Sequence, residues 1–108
     1  MKFAISGVLL DACVLGLLSS APAYGYELTQ KAQSAVDISE STLYPVLRRL
    51  MNEGSLESYD EPYDGRNRRY YKITAAGVRS LEGYAAGWAE YKQVIDAMLI
   101  GGAENGRQ

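Results

Sequence analysis

The chain has 108 residues, enough for one domain or for a small domain with an appended helix. It has a net charge of -2 at pH 7 and no histidine, which excludes histidine bases, histidine-activated nucleophiles and imidazole metal ligands. No carboxylate pair or glycine-rich phosphate loop stands out, so we expect no enzymatic activity, no cofactor and no metal. The single cysteine, Cys13, lies in an apolar run, and we expect a small buried thiol there.

The first 23 residues allow two interpretations. An apolar run from Phe3 to Leu18, preceded by Lys2 and followed by Ala21-Pro22-Ala23, resembles a secretory signal whose removal would leave a small secreted protein. Asp11, which divides the run, and the proline between the two alanines argue against a signal. The alternative is a helix of about residues 3–19 that is apolar nearly all round and is buried on several sides, in part against a second subunit. The run is too short and too interrupted to span a membrane.

Two helices joined by a brief loop are predicted next, which is the pattern of a helix-turn-helix. The first covers Gly25 to Val36, and the second lies within residues 39–50. Each helix has one apolar stripe at helical spacing. The stripe residues are Leu28, Ala32, Ala35 and Val36 in the first helix and Leu43, Val46, Leu47 and Leu50 in the second. The opposite side of the second helix then exposes Tyr44 and Arg48, which lie four residues apart on one face.

The sequence allows more than one start for this second helix. Asp37 and Ser39 are both good N-caps. If Ser39 is the N-cap, Pro45 lies inside the helix and removes a backbone hydrogen bond. If Thr42 is the N-cap, the proline lies in the first turn, where it is tolerated. Gly54 suits the residue just after the end of the helix.

A hairpin is predicted after these helices. Two β-prone runs, Leu56–Tyr59 and Arg69–Ile73, are connected by residues 60–68, which are rich in turn formers. Strand alternation predicts that Tyr71 and Ile73 point inward, toward the helices.

The tip of this hairpin is basic, because four cations fall within seven residues: Arg66, Arg68, Arg69 and Lys72. Acidic residues adjoin them, so a merely solvated charge cluster is the alternative. A helix-turn-helix followed by a basic hairpin is the winged helix-turn-helix pattern, in which one helix enters the major groove and the hairpin follows the DNA backbone. We therefore expect a mainly α fold with a small β-hairpin, and phosphate or minor-groove contact by at least one of Arg66, Arg68 and Arg69.

A long last helix of about residues 75–99 is predicted, with Thr74 as its N-cap. Apolar residues recur in it at alternating spacings of three and four, the a/d pattern of a coiled coil. They are Leu81, Tyr84, Trp88, Tyr91, Ile95 and Met98. Such a seam needs a partner helix, in a second subunit or, as the alternative, in its own domain. We expect a homodimer whose interface includes Leu9, Leu81, Trp88, Ile95 and Met98.

Two glycines interrupt the same helix. Gly83 and Gly87 each cost it about 1 kcal/mol relative to alanine. The repeated penalty suggests a use, such as close approach of another backbone or room beside the neighbouring rings. Trp88, Tyr84 and Tyr91 are candidates for the floor of a pocket that takes a flat effector, and plain packing is the alternative.

These residues resemble the PadR family of bacterial transcriptional regulators from about Leu9 to Leu99. Leu17-Leu18, Pro22 and Gly25-Tyr26-Glu27-Leu28 resemble the family's start of the second helix, and the run from Ser39 to Leu50 resembles its recognition helix. The motifs Gly65-Arg66, Arg69-Tyr70-Tyr71 and Ile73-Thr74-x-x-Gly77 resemble its wing and the start of its last helix. Tyr24 and Asn67 depart from the pattern, since many relatives have histidine at the first position and proline or another residue at the second.

The resemblance implies a cytoplasmic, dimeric winged-helix repressor whose apolar start is retained as helix one. Residues 1–74 would bind DNA, and residues 75–108 would form a C-terminal dimerisation helix with a short polar tail. The recognition helix would contact a pseudo-palindromic DNA operator through Ser41, Thr42, Tyr44 and Arg48. Trp88 falls where multidrug-binding relatives have a tryptophan that stacks on planar drugs, which implies a planar aromatic effector. The alternative, favoured by the acidic isoelectric point near 5.1, is an effector-sensing or protein-interaction module that does not bind DNA.

Overall fold

The computed structural model describes Met1, residues 3–5 and residues 7–101, and has four α-helices and three β-strands. The helices are α1 (Gly7–Leu17), α2 (Gly25–Ala35), α3 (Glu40–Asn52) and α4 (Ala75–Asp96), and a π-helical turn over Ala97–Gly101 continues α4. The strands are β1 (Ala23–Tyr24), β2 (Leu56–Tyr63) and β3 (Arg66–Ile73). The predicted class, a winged helix-turn-helix with a long C-terminal helix, is confirmed. Lys2 and residues 102–108 of the polar tail, which the sequence predicts from Gly101, lie outside the described residues.

The core lies between α1, α2, α3 and the base of the sheet. The stripe of α3 is buried as predicted, with at most 5% of any of its four side chains exposed. Residues of α1 and the strands complete the cluster: Leu10, Val14, Leu15, Leu18, Leu56 and Tyr71. The predicted stripe of α2 is only half right, because Leu28 and Ala32 are buried, whereas Ala35 is exposed at the end of the helix and Val36 is half-buried beyond it.

The first helix is shorter than predicted. Gly7, with a φ of 64°, has a left-handed backbone that a regular right-handed helix does not continue through. Residues 3–5 are therefore not helical, and Ala4 forms a parallel bridge with Asp37. The helix buries one side only, and Cys13 is exposed on another side, so the expected buried thiol was wrong.

The charged side chain of Asp11, which interrupts the apolar run of α1, connects α1 to α3. Asp11 is buried and forms an ion pair with Arg49, whose side chain is 46% exposed. The two residues are 38 positions apart, so no local pattern in the sequence indicated the pair.

Ser39 is the N-cap of α3, and the two other candidate starts were wrong. Pro45 therefore lies inside the helix, where it has no N–H to donate to the carbonyl of Ser41. The helix tolerates this because Pro45 is on its exposed side. Its end matches the prediction: Gly54, just beyond the helix, has a φ of 81° in the left-handed region.

The hairpin is longer and tighter than predicted. The register runs from Leu56 opposite Ile73 to Tyr63 opposite Arg66, so most of the expected connection at 60–68 is paired strand. Asp64 and Gly65 make the whole turn with φ values of 52° and 77°, the positive pair that a two-residue type I′ turn requires.

A third strand was missed by the sequence analysis. In β1, Ala23 pairs with Tyr71 and Tyr24 with Tyr70, which places β3 in the middle of the sheet. A strand of two residues has no periodicity that a sequence pattern can reveal.

The last helix starts as predicted and then extends away from the core. The Thr74 hydroxyl accepts a hydrogen bond from the backbone N–H of Gly77 at 3.0 Å. Leu81 and Tyr84 pack against the core, while the later part of α4 is mostly exposed and lengthens the molecule to 64 × 28 × 21 Å. Of the helices in the described ranges, none has the length and apolar character to cross a membrane.

Candidate nucleic-acid interface

The outward face of α3 presents all the helix residues expected to contact DNA. Because the apolar stripe faces the core, the opposite side faces solvent, and Ser41, Thr42, Tyr44 and Arg48 are all exposed there. Tyr44 keeps 40% of its surface exposed.

Hydroxyl groups cluster at the N-terminus of α3. Ser39 Oγ lies 2.9 Å from Ser41 Oγ and 3.0 Å from Thr42 Oγ1, so the Ser39 hydroxyl bonds to both neighbouring hydroxyls. The Ser39 hydroxyl makes no capping bond to the helix backbone. A helix N-terminus has unpaired N–H groups and a partial positive charge, which suits a phosphate oxygen. Glu40 in the first turn partly offsets that charge.

Tyr44 connects α3 to the start of α2. A Cβ added to Gly25 would lie 3.1 Å from Tyr44 Oη and 3.4 Å from its Cε1, so the ring packs directly on the glycine. Tyr44 also lines a polar cleft of about 220 Å³ with wing residues that include Arg68 and Arg69. The outward face of α3 and the wing are therefore adjoining walls of one surface.

Tyr71 lies beneath this cleft. Burial is the largest influence and raises the pKa of the Tyr71 hydroxyl. Tyr44 raises this pKa further, whereas the positive charges of Arg69 and Arg48 lower it. The hydroxyl therefore stays protonated at neutral pH, and the four side chains lie within electrostatic reach of one another.

The three wing arginines have different surroundings. Arg66 is exposed at the tip and has no ion pair or ring contact among the described residues. Arg68 is half-buried, with its guanidinium over the rings of Tyr24 and Tyr63. Arg69 Nε lies 3.3 Å from Asp60 Oδ1 in an exposed pair. The strand alternation places Arg66 and Arg68 on one face of the sheet and Arg69 on the other.

Sequence reasoning missed the tyrosines around Arg68. Tyr63 lies in the stretch 60–68 that was predicted as a connection, and its contact with Arg68 depends on the strand register. Tyr24 had no assigned strand, so nothing in the sequence placed it beside β3.

The residues expected to form an effector pocket lie at a second site, between α1 and α4. Trp88 and Tyr84 line an apolar cavity of about 480 Å³ together with residues 3–5. Tyr91 lines an adjoining hollow, and its ring centroid lies 6.1 Å from that of Trp88. Cys13 also lines the larger cavity, where partial removal from water raises the pKa of its thiol.

The residues expected at a dimer interface divide into two groups. Leu81 and Ile95 are half-buried, and Leu81 packs against the core of its own chain. Leu9, Trp88 and Met98 are exposed by 37%, 44% and 64%. Three exposed apolar side chains on α1, on α4 and on the turn that continues α4 leave this part of the surface unpartnered in the single chain.

A family model and two known proteins match this chain. Residues 14–83 match the model of the transcriptional regulator PadR-like family. An uncharacterized protein of Lysinibacillus sphaericus is 36% identical over 97 residues, which cover 85% of this chain and 89% of that protein. The transcriptional regulator Rv3488 of Mycobacterium tuberculosis is 42% identical over 59 residues, which span about half of each chain, 54% and 55%.

Solved structures have the same fold. The protein smu.1704 of Streptococcus mutans is 35% identical with a TM-score of 0.85, covering 94% of this chain and 95% of that one. A PadR family transcription regulator of Clostridium difficile is 27% identical with a TM-score of 0.76, covering 83% and 97%. Because the family model matches more than half of the residues, the chain belongs to the PadR-like family of transcriptional regulators, which are not enzymes.

Proposed function

We propose that this chain is a homodimeric repressor that binds DNA through α3 and the wing and is released by a planar aromatic effector. The observation that carries the proposal is the continuous surface formed by the outward face of α3 and the adjoining wing. Exposed hydroxyls and Arg48 on the helix supply groups that can reach base edges and phosphates. Arg66 and Arg68, which have no carboxylate partner among the described residues, supply cations for the flanking backbone.

The acidic whole chain does not conflict with this proposal, because phosphate binding depends on local charge. Four of the 11 lysines and arginines lie within residues 66–72. One of these cations, Arg69, forms an ion pair with Asp60. This pair lies on the opposite face of the sheet from Arg66 and Arg68. The remaining cations stay available for a duplex.

Dimerisation through α1 and α4 completes the proposal. We assign residues 1–74 to the DNA-binding domain, whose helix α1 also contributes Leu9 to the subunit contact, and the helix that begins at Ala75 to dimerisation. Trp88 and Tyr91 on α4 and Met98 in the π-helical turn that continues it expose large apolar surfaces. Exposed apolar surfaces of this kind commonly form contacts between subunits. Two-fold symmetry then predicts a pseudo-palindromic operator with half-sites about 34–36 Å apart, or a multiple of that spacing.

Release by an effector is argued from the position of Trp88. Its side chain lines both apolar hollows beside α1, so a flat ring system placed there would contact the helices that we assign to the dimer. A ligand that prefers a different angle between the subunits would move the two recognition helices out of register and weaken DNA binding. Trp88 is the only tryptophan, so quenching of its fluorescence by planar aromatics reports binding directly.

The experiment that tests the proposal is fluorescence anisotropy with labelled DNA at several salt concentrations. The probes are a duplex from upstream of the chain's own gene and the best duplex selected from a random-sequence library, each competed with scrambled DNA. Tight binding that resists scrambled competitor supports the regulator. Equal, weak binding to all duplexes would contradict it and favour a protein-interaction module, in line with the acidic isoelectric point.

A further inference from the structure

Arg68 is held between two tyrosine rings on the outer face of the wing. Its Cζ atom lies 3.5 Å from the ring centroid of Tyr63 and 4.3 Å from that of Tyr24. The rings come from β2 and β1, the two strands on either side of β3, so they approach the arginine from opposite edges. A guanidinium group is attracted to ring faces and stacks on them.

The strand register brings Arg68 and the two tyrosine rings together on one face of the sheet. Tyr24 lies opposite Tyr70, and Tyr63 lies opposite Arg66, so Arg68 is a diagonal neighbour of both stacking rings. Diagonal neighbours on one face of a sheet lie within reach of aromatic and long side chains. The residue directly opposite Arg68 is Glu61, but the described part of the chain contains no ion pair between the two. The rings therefore orient this side chain, and the carboxylate does not.

Both rings contact the guanidinium at Cζ, and its N–H donors remain available. The five N–H donors lie in the plane of the group. None of them bonds to an acceptor within the described residues. A free planar edge is suited to bidentate binding of phosphate oxygens, or of the O6 and N7 atoms of guanine. Arg68 thus differs from Arg66, which no ring holds, and from Arg69, which bonds to Asp60.

We propose that Tyr24 and Tyr63 are positioning residues for DNA binding. The two rings hold the Arg68 guanidinium before DNA arrives, so the side chain loses little rotamer freedom when its edge binds the duplex. This inference rests on the proposed DNA-binding function and deepens it, because it assigns a role to two residues that do not themselves need to touch DNA.

The test compares alanine and phenylalanine at each ring, with anisotropy on the duplex selected from the random-sequence library. We expect Tyr63→Ala and Tyr24→Ala to weaken binding roughly three- to fivefold, as loss of a cation–π contact implies. Tyr63→Phe and Tyr24→Phe keep the ring face and should bind like the wild type. The matched control is Tyr59→Ala, because Tyr59 stacks on Tyr70 at 5.5 Å on the same face of the sheet and should not affect affinity.

A double-mutant cycle separates positioning from a general effect on the sheet. In an Arg68→Ala background, Tyr63→Ala should weaken binding no further. An equal loss with and without Arg68, or a loss with Tyr63→Phe as large as with Tyr63→Ala, would overturn the inference.

The stack also has a readout that does not need DNA. Ring currents should shield the Nε–Hε resonance of Arg68, and Tyr63→Ala should remove that shift in an NMR spectrum; an unchanged resonance would refute the stack. If the wild type binds no duplex, the proposed function fails and the inference fails with it. If the wild type binds and both alanine variants bind equally well, only the inference fails.

Discussion

At the scale of single residues, Gly77 controls the junction between the base of the wing and α4. A Cβ at this position would overlap the Ser55 carbonyl oxygen and lie 2.7 Å from Ile73 Cγ1. The same carbonyl accepts a hydrogen bond from the Thr74 backbone N–H at 3.0 Å, and the Thr74 hydroxyl donates to the Gly54 carbonyl at 2.6 Å. The missing side chain therefore lets the end of α3 and the start of α4 approach each other directly.

We predict that Gly77→Ala lowers the free energy of unfolding by about 1–3 kcal/mol, because a well-packed site must shift to admit the methyl group. At an open helix position the same change would stabilise the protein by about 1 kcal/mol. Urea unfolding measures the difference. The control, Ala86→Gly at an exposed position of α4, tests whether ordinary helix propensity applies in this helix and should cost about 1 kcal/mol. A Gly77→Ala protein as stable as the wild type would show that the junction has room.

At the scale of one element, two adjacent arginines give α3 two separate tasks. Arg48 lies on the outward face, beside Tyr44 and the wing. Arg49 reaches back to Asp11 on α1, which is only 7% exposed, and so ties the recognition helix to the core. The exposure of the Arg49 side chain lets solvent screen the pair, but removal of Arg49 would leave a buried carboxylate without its partner.

We predict opposite outcomes for these neighbours. Arg49→Ala should lower the free energy of unfolding by about 2 kcal/mol, measured with urea, because Asp11 would remain buried without its partner. Arg48→Ala should change stability by less than about 0.5 kcal/mol but weaken operator binding about tenfold in an anisotropy titration. Each variant is the control for the other. Equal effects of the two variants on stability, or normal DNA binding by Arg48→Ala, would contradict this division.

At the scale of the whole molecule, α4 joins the proposed dimer surface to the DNA-binding surface. Its N-terminal end holds the residues that follow α3, and its middle packs on α1. Its later turns expose Trp88 and Tyr91, and the π-helical turn that continues it exposes Met98. A change in how two copies of α4 meet would therefore be transmitted to α3 through packed contacts. This continuity is the physical basis for expecting an effector near Trp88 to alter DNA binding.

We predict that Trp88→Glu converts the protein to a monomer in sedimentation velocity, because a charge would be buried in the seam between subunits. Loss of the second half-site contact should weaken operator binding at least about a hundredfold. The matched control is Glu82→Lys, which also changes a charge on α4 but lies outside the apolar seam and should remain dimeric. A dimer that survives Trp88→Glu would place the subunit contact elsewhere.

The sequence by itself determined the elements whose signals are local. The stripe of α3, the Thr74 N-cap and the two strands of the wing follow from periodicity and capping, which depend on residues within a few positions of one another. The family resemblance then implied contacts of Ser41, Thr42, Tyr44 and Arg48 with a DNA operator. The length of the hairpin was underestimated, because residues 60–68 contain several turn formers and only the register shows that Asp64 and Gly65 make the turn.

Only the tertiary structure decided which distant side chains meet. The strand β1, the pair between Asp11 and Arg49 and the stack of Tyr24 on Arg68 all join residues that are dozens of positions apart. The exposure of Cys13 likewise depends on which side of α1 the other helices cover. Such contacts depend on how packed elements are oriented in space, and an apolar or charged residue type in the sequence fits many orientations. The core must form before a single one of them is selected.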